Sequence, residues 1–341
     1  MHKVLSLAIK IILTVTFLSA CSNQDDWGTQ GKMYVNVLFS PESFCEMGYN
    51  DITLKAIETH SHQYGYEYSF CVPESIEDGM DYYKNWCEAQ LDDDVARSLF
   101  IFASSIYEEP LAKAPHPAAG SRKDILIFEV EKELPYAYTF DMTYYGASYM
   151  IGCYYSEYTP ADFHIIAANP YLEGLNDVLD AFTAATEDMA GGTVQANYIS
   201  ESPAGGLDDD DGAFLFCKNC FYGNQDKTNI FIPYAGLSNL GVYRFAQTNH
   251  QIAVGVDCVD PDTYSHTYLC MNKKMDLALD DFLQLWVKGD EIPRHTFYTL
   301  ESGRVVVDMA SFLNPDAEAL DKLLEQAIAK EKEYYQKQNL K

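Results

Sequence analysis

The sequence predicts an α/β protein of two lobes, each a parallel sheet flanked by helices, joined by a hinge. Three observations predict it. Short strand-like runs are apolar along their whole length, as in strands buried on both faces. Stretches with helical apolar spacing alternate with them. The rhythm then starts afresh near residue 146. At 341 residues the chain exceeds one ordinary compact core and accommodates two of about 100–200 residues each. Apolar residues make up 48% and charged residues 22%, a globular balance and not that of a disordered chain. Lys and Arg number 23 against 51 Asp and Glu, a net charge of −28. That argues against a nucleic-acid partner, since phosphate contacts need clustered basic residues.

In the first half, Tyr34 to Phe39 reads as a strand and Ser40 to Gly48 as a loop. A helix follows from about Tyr49 to Gln63, then a strand from Tyr66 to Val72 and a helix from Ile76 to Ala89. Ser98 to Ala103 is a third strand. Pro110 to Arg122 is a Pro-containing loop, and Asp124 to Val130 a fourth strand. In the second half, Gly146 to Tyr155 is helical and Phe163 to Ala167 a strand. Leu172 to Met189 is a helix with Leu175, Val178, Leu179 and Phe182 on one face. Thr193 to Ile199 is a strand. The acidic run Asp208 to Asp211 suits a helix N-terminus. Asn229 to Pro233 is a strand, Asn239 to Gln247 a helix, and Ile252 to Asp257 and Tyr264 to Cys270 are strands. Lys274 to Lys288 is a helix. Phe297 to Leu300 and Arg304 to Val307 read as a hairpin across Glu301-Ser302-Gly303. The last helix has Asn314 as cap and Pro315 at its first position, with Leu320, Leu323, Leu324, Ala327 and Ile328 as its buried stripe.

The N-terminus reads as an address. Met1-His2-Lys3 and Lys10 are basic, Ile11 to Leu18 is apolar, and the run is too short to span a bilayer. Leu18-Ser19-Ala20-Cys21 resembles the lipobox of bacterial lipoproteins, which implies acylation of Cys21, palmitate included, after removal of residues 1–20. Asp25-Asp26 behind it resembles the surface-export signal of Bacteroidetes lipoproteins. The location expected is the bacterial cell envelope, lipid-anchored to a membrane at the periplasmic face or the cell surface. Residues 21–31 are a polar tether. The expected lobes are 32–137 with about 259–292, and 138–258 with about 293–341.

Nine cysteines, less Cys21, leave eight, an even number in an oxidising compartment. Most are expected in disulfides, with 105 connectivities open and Cys258–Cys270 the preferred pair. Cys217-Lys218-Asn219-Cys220 lacks the second ligand pair of a zinc site. It reads as a local disulfide or two buried thiols. No dinucleotide fingerprint, Walker A sequence, nucleophile elbow or zinc-protease motif is present. His60 and His62 point to different faces of one helix. No cofactor and no metal is expected, and the prior moves from catalysis toward binding.

Three segments carry a resemblance. They are Phe44 to Asp51, with Glu46, Tyr49 and Asn50; Ile230 to Ala246; and Val254 through Lys273, with Gly255-Val256-Asp257. Together they resemble the basic membrane protein family of lipoproteins, which includes purine nucleoside receptors. The resemblance implies two Rossmann-like lobes of the periplasmic-binding type I fold. It also implies a monomeric substrate-binding component of an ABC importer, with a permease and an ATPase as partners. The ligand-binding positions it implies are Glu46, Tyr49, Asn50, Glu129, Tyr234, Asp257 and Lys273.

The chemistry is consistent with that. A nucleoside has a flat base, and Tyr49 and Tyr234 supply aromatic faces worth about 1–3 kcal/mol per stacked base. Asp257, at a strand end, suits a ribose diol through charge-assisted bonds. Lys273 suits a ribose oxygen and can hold Asp257. Asn50 both donates and accepts toward base edges. Glu129 lies near the expected hinge. A surface-exposed or sensory lipoprotein without an importer is the alternative. An enzyme such as a nucleoside hydrolase lacks a visible acid–base or metal cluster.

Overall fold

The computed structural model describes residues 31–41, 49–118, 120–157, 159–189, 191–203, 205–223, 227–257, 261, 264–313 and 316–338. The signal segment, Cys21, Glu46, Cys45, Cys258 and the Asn314-Pro315 cap lie outside them, so the anchor and the Cys258–Cys270 pair do too.

The first sheet holds β1 (Lys32–Leu38), β2 (Glu67–Cys71), β3 (Val95–Phe102), β4 (Lys123–Phe128), β5 (Tyr138–Met142) and β11 (His295–Tyr298). The second holds β6 (Ala161–Ala167), β7 (Gly192–Tyr198), β8 (Thr228–Tyr234), β9 (Ile252–Val256), β10 (Thr267–Lys273) and β12 (Val305–Met309). Their orders are β11-β5-β4-β3-β1-β2 and β12-β10-β9-β8-β6-β7, one repeated winding with an edge strand added by the C-terminal region. All pairs are parallel except β10 with β12. In both sheets the strand order reverses beside the first strand, where loops diverge and leave a crevice.

The apolar runs are explained by burial on both faces. Leu99 and Ile101 of β3 join one core cluster, while Phe100 and Phe102 turn to another with Tyr83 and Tyr107. In the second sheet Ile230 and Ile232 face one side and Phe231 the other, toward Cys217 and Phe245. Gly192 is required: at φ 140 an added Cβ would lie 2.0 Å from the Ala161 carbonyl oxygen.

Helices α1 (Tyr49–Tyr64), α2 (Ile76–Glu88) and α3 (Glu108–Ala112) cover the first sheet, so the expected loop from Pro110 begins as helix. On the second sheet lie α4 (Tyr145–Ser156), α5 (Leu175–Asp188), α6 (Asp210–Gly223) and α7 (Asn239–Asn249). Helix α8 (Met275–Lys288) returns to the first lobe: it packs on α1, and Trp286 Nε1 donates to Asp124 Oδ2 at 2.9 Å. Helix α9 (Ala317–Gln338) packs on α4 of the second.

The structure corrects the expected lobe boundaries, the hairpin and the disulfides. Tyr138–Met142 is a strand of the first sheet, and β10 belongs to the second, so the expected lobe boundaries at 137/138 and 258/259 move. The boundary at 292/293 moves too, because β11 joins β5 in the first sheet. The expected 297–307 hairpin does not form. Strand β11 is parallel to β5 and β12 is antiparallel to β10, and the turn between them carries the chain from one lobe to the other. The chain thus crosses at 143–144, at 274 and at 299–304. The expectation that most cysteines are bonded is not met: Cys71, Cys87, Cys153, Cys217 and Cys220 are thiols. The buried Cys153 and Cys217 act as small apolar core residues on different helices.

Candidate ligand cleft

A cleft of about 450 Å³ lies between the lobes. Its walls are the C-terminal ends of strands and the loops after them, where open α/β sheets gather ligand groups. Tyr49, Ser104, Ser105, Glu129, Glu131 and Asp141 come from the first lobe. Tyr171, Glu173, Asp177, Tyr234, Asp257 and Lys273 come from the second, and Thr143 and Tyr144 from a crossing segment.

A hydrogen-bonded set spans the gap. Lys273 Nζ donates to Glu129 Oε2 at 2.8 Å, and Tyr49 Oη donates to Glu129 Oε1 at 3.0 Å. Tyr144 Oη donates to Asp257 Oδ1 at 2.5 Å, and Lys273 Nζ lies 4.9 Å from the centre of the Tyr144 ring. Burial opposes the Lys273 charge, but Glu129, Tyr234 and Asp257 outweigh it and hold the ammonium above the usual lysine range. Burial pushes Asp257 up, against the pull of Lys273 and the Tyr144 bond. Tyr234 Oη donates to the Glu173 carbonyl at 2.9 Å.

Of the expected site residues, Tyr49, Glu129, Tyr234, Asp257 and Lys273 meet in this cleft. Asn50 is 8% exposed on α1 and is not part of the wall, because the next helical position turns about 100° from Tyr49. Glu46 lies outside the described residues. Lys273 Nζ bonds Glu129, where the sequence pointed to Asp257.

Sequence reasoning missed much of the polar wall. Tyr144, Asp141, Glu131, Glu173 and Asp177 all line the cleft. Asp141 sits at the end of the unrecognised β5, and its Oδ1 accepts the Met142 N–H at 2.8 Å. The rule that placed Asp257, a carboxylate at a strand end, would have placed Asp141 had that strand been read. Asp177, in the first turn of α5, looks solvated in sequence. In the fold it accepts Tyr334 Oη at 2.9 Å and Thr143 Oγ1 at 3.3 Å, besides Tyr335.

Among the described residues no cluster of three His, Cys, Asp or Glu is arranged to hold a metal ion. No helix among them is long and apolar enough to cross a membrane.

No family model matches the sequence, and no curated protein matches it. Solved structures do. A solute-binding protein of an ABC transporter system from Aeropyrum pernix K1 is similar with TM-score 0.64 and 14% identity, over 88% of this chain and 86% of that one. A transcriptional activator of the comK gene from Bacillus halodurans is similar with TM-score 0.59 and 14% identity, over 86% and 95%. A periplasmic ribose ABC transporter protein from Conexibacter woesei is similar with TM-score 0.58 and 10% identity, over 87% and 96%. The chain therefore has the two-lobed α/β fold of the periplasmic-binding proteins. The narrower resemblance to the basic membrane protein family is not matched by a family model.

Proposed function

We propose that the chain is the solute-binding component of an ABC-type importer, held to the cell envelope by a lipid on Cys21. It closes two lobes on a small polar ligand with a flat ring and vicinal hydroxyls, a purine nucleoside. One observation carries this reading: aromatic rings and carboxylates from both lobes converge on one crevice at the strand ends, Tyr49 and Glu129 from one side and Tyr234, Asp257 and Lys273 from the other. A ligand touching both walls makes its full set of contacts only when the lobes close. Asp257 and Glu129 are held in place by hydroxyl and ammonium donors at the cleft wall, as acceptors for a bound solute need to be. Ribose, named for the Conexibacter protein, carries the same vicinal hydroxyls as a nucleoside. A sensory or surface receptor without an importer would use the same cleft, and co-purification with a permease separates the two.

Calorimetry with adenosine, adenine and a nucleotide tests the ligand. Adenosine is expected to bind at micromolar concentration or tighter, with base and nucleotide weaker. Asp257→Ala should weaken adenosine more than adenine, because only adenosine presents the diol. Equal loss for both would make Asp257 structural. No nucleoside binding at millimolar concentration would overturn the ligand assignment and leave the fold untouched.

A further inference from the structure

Six carboxylates line the cleft: Glu129, Glu131, Asp141, Glu173, Asp177 and Asp257. Lys273 is the one cation among the described lining residues, and its ammonium bonds Glu129. Lys132, next to Glu131 in sequence, is ion-paired with Glu108 at 2.5 Å and still attracts Glu131 and Glu173, but it is not among the lining residues. Glu131 and Asp141 belong to the first lobe, Glu173 and Asp177 to the second, so closure brings like charges together across the gap. Asp141 is 8% exposed. Burial pushes its carboxyl up, Lys273 and the Met142 N–H pull against that, and Glu131 and Asp177 add to the rise. Glu173 is exposed on the wall, yet the surrounding protein desolvates it; a bond from Ser105 opposes that, the neighbouring Asp141, Glu129 and Glu131 add to it, and its carboxyl is pushed up to about 7. These carboxylates do not form a metal cage. The rings of Tyr49, Tyr144, Tyr171 and Tyr234 share the same space, and aromatic faces attract organic cations. Lys273 over Tyr144 already makes one such contact within the protein.

We infer that the solute carries a protonated amine, seated between Glu131 and Asp141 of one lobe and Glu173 and Asp177 of the other. The inference rests on the solute-binding reading above and narrows its ligand class. The amine is the counter-charge that allows the lobes to shut. An uncharged solute leaves carboxylates facing carboxylates, and an anionic one adds to the repulsion.

The test uses calorimetry and small-angle scattering on the full chain in detergent. The probes are adenosine, its analogue with an amine in place of the 5′ hydroxyl, glucosamine and spermidine. The amine analogue is expected to bind about tenfold or more tighter than adenosine at neutral pH, the gain of a charge-assisted contact, and to compact the particle further. Glu173→Gln, at an exposed wall position that does not threaten folding, should cut that preference severalfold, and Asp141→Asn should do the same. Equal or tighter binding of adenosine overturns the amine and leaves the solute reading standing. Binding of glucosamine or spermidine with neither adenosine form keeps the amine and overturns the nucleoside. No binding of any probe at millimolar concentration overturns both.

Discussion

Glu129 and Asp257 occupy the same place in the two lobes. Each is the first residue after the fourth strand of its sheet, and each has a left-handed backbone, φ 58 and φ 55. Each takes a bond from a tyrosine hydroxyl, Tyr49 for Glu129 and Tyr144 for Asp257. A non-glycine residue in that region costs about 1–3 kcal/mol and persists where the surroundings over-determine it. Here the turn aims both carboxylates into one crevice, and Lys273 attracts both.

Lys273→Met should therefore destabilise the fold. The side chains of Lys273 and Glu129 are 10% and 17% exposed. Removing one partner of a buried pair costs about 3–5 kcal/mol, because the other charge is stranded. Urea unfolding followed by fluorescence measures this. A loss below about 0.5 kcal/mol would mean that the pair behaves as a solvated surface pair.

Glu331 ties helix α9 to the first turn of α4 and to the chain crossing at 299–304. Its Oε1 accepts the Gly146 N–H at 3.0 Å and its Oε2 the Leu300 N–H at 3.1 Å, and the residue is 1% exposed. Burial outweighs both amide bonds and raises its pKa from an ordinary 4.5 to about 7. The folded state then holds a proton that the unfolded chain releases between those values. The contribution of this group is complete below pH 4.5 and is lost as pH rises to 7, by about 3 kcal/mol. Glu331→Gln should flatten that part of the stability–pH curve. Parallel curves for the two proteins would refute the shift.

Gly146→Ala probes the same joint. A Cβ there would meet the Glu331 carboxyl and the Leu300 Cβ at 2.9 Å. Overpacking of this kind costs about 1–3 kcal/mol, and thermal melting should show the drop. An unchanged melting temperature would show that α9 yields freely.

Two thiols should resist alkylation in the native protein. Burial pushes Cys153 up to about 11 and Cys217 well above its ordinary value, and thiolate is the reactive form. Both should label without reductant once the chain is unfolded. Failure to label would reveal a disulfide.

Cys21→Ala should release the protein from membranes without altering its thermal stability, since Cys21 precedes the polar tether. Sedimentation after a high-salt wash reads this out. Persistent membrane association of the variant would refute the lipid anchor.

Much of the cleft was legible because strand ends can be read. A run such as Ile252–Val256 shows where its sheet stops, and Asp257 follows. Asp141 was not legible, because YTFDM is short and broken by polar residues, with the signature of a loop. The turn at 299–304 was misread for a different reason. Two short strands either side of Glu301-Ser302-Gly303 satisfy the local rule for a hairpin, and only partners distant in sequence, β5 and β10, show that they part company.

What the sequence determined by itself is local: the alternation of doubly buried strands with amphipathic helices, and its repetition in two halves. Those features follow from the period of apolar residues, which neighbouring positions set. Tertiary structure alone decided the pairing of Lys273 with Glu129, 144 positions apart, the three crossings, and the gathering of six carboxylates around one ammonium. Each depends on which distant segments burial brings together, and a charged residue at the end of a strand has the same local pattern whether it meets water or an opposite charge.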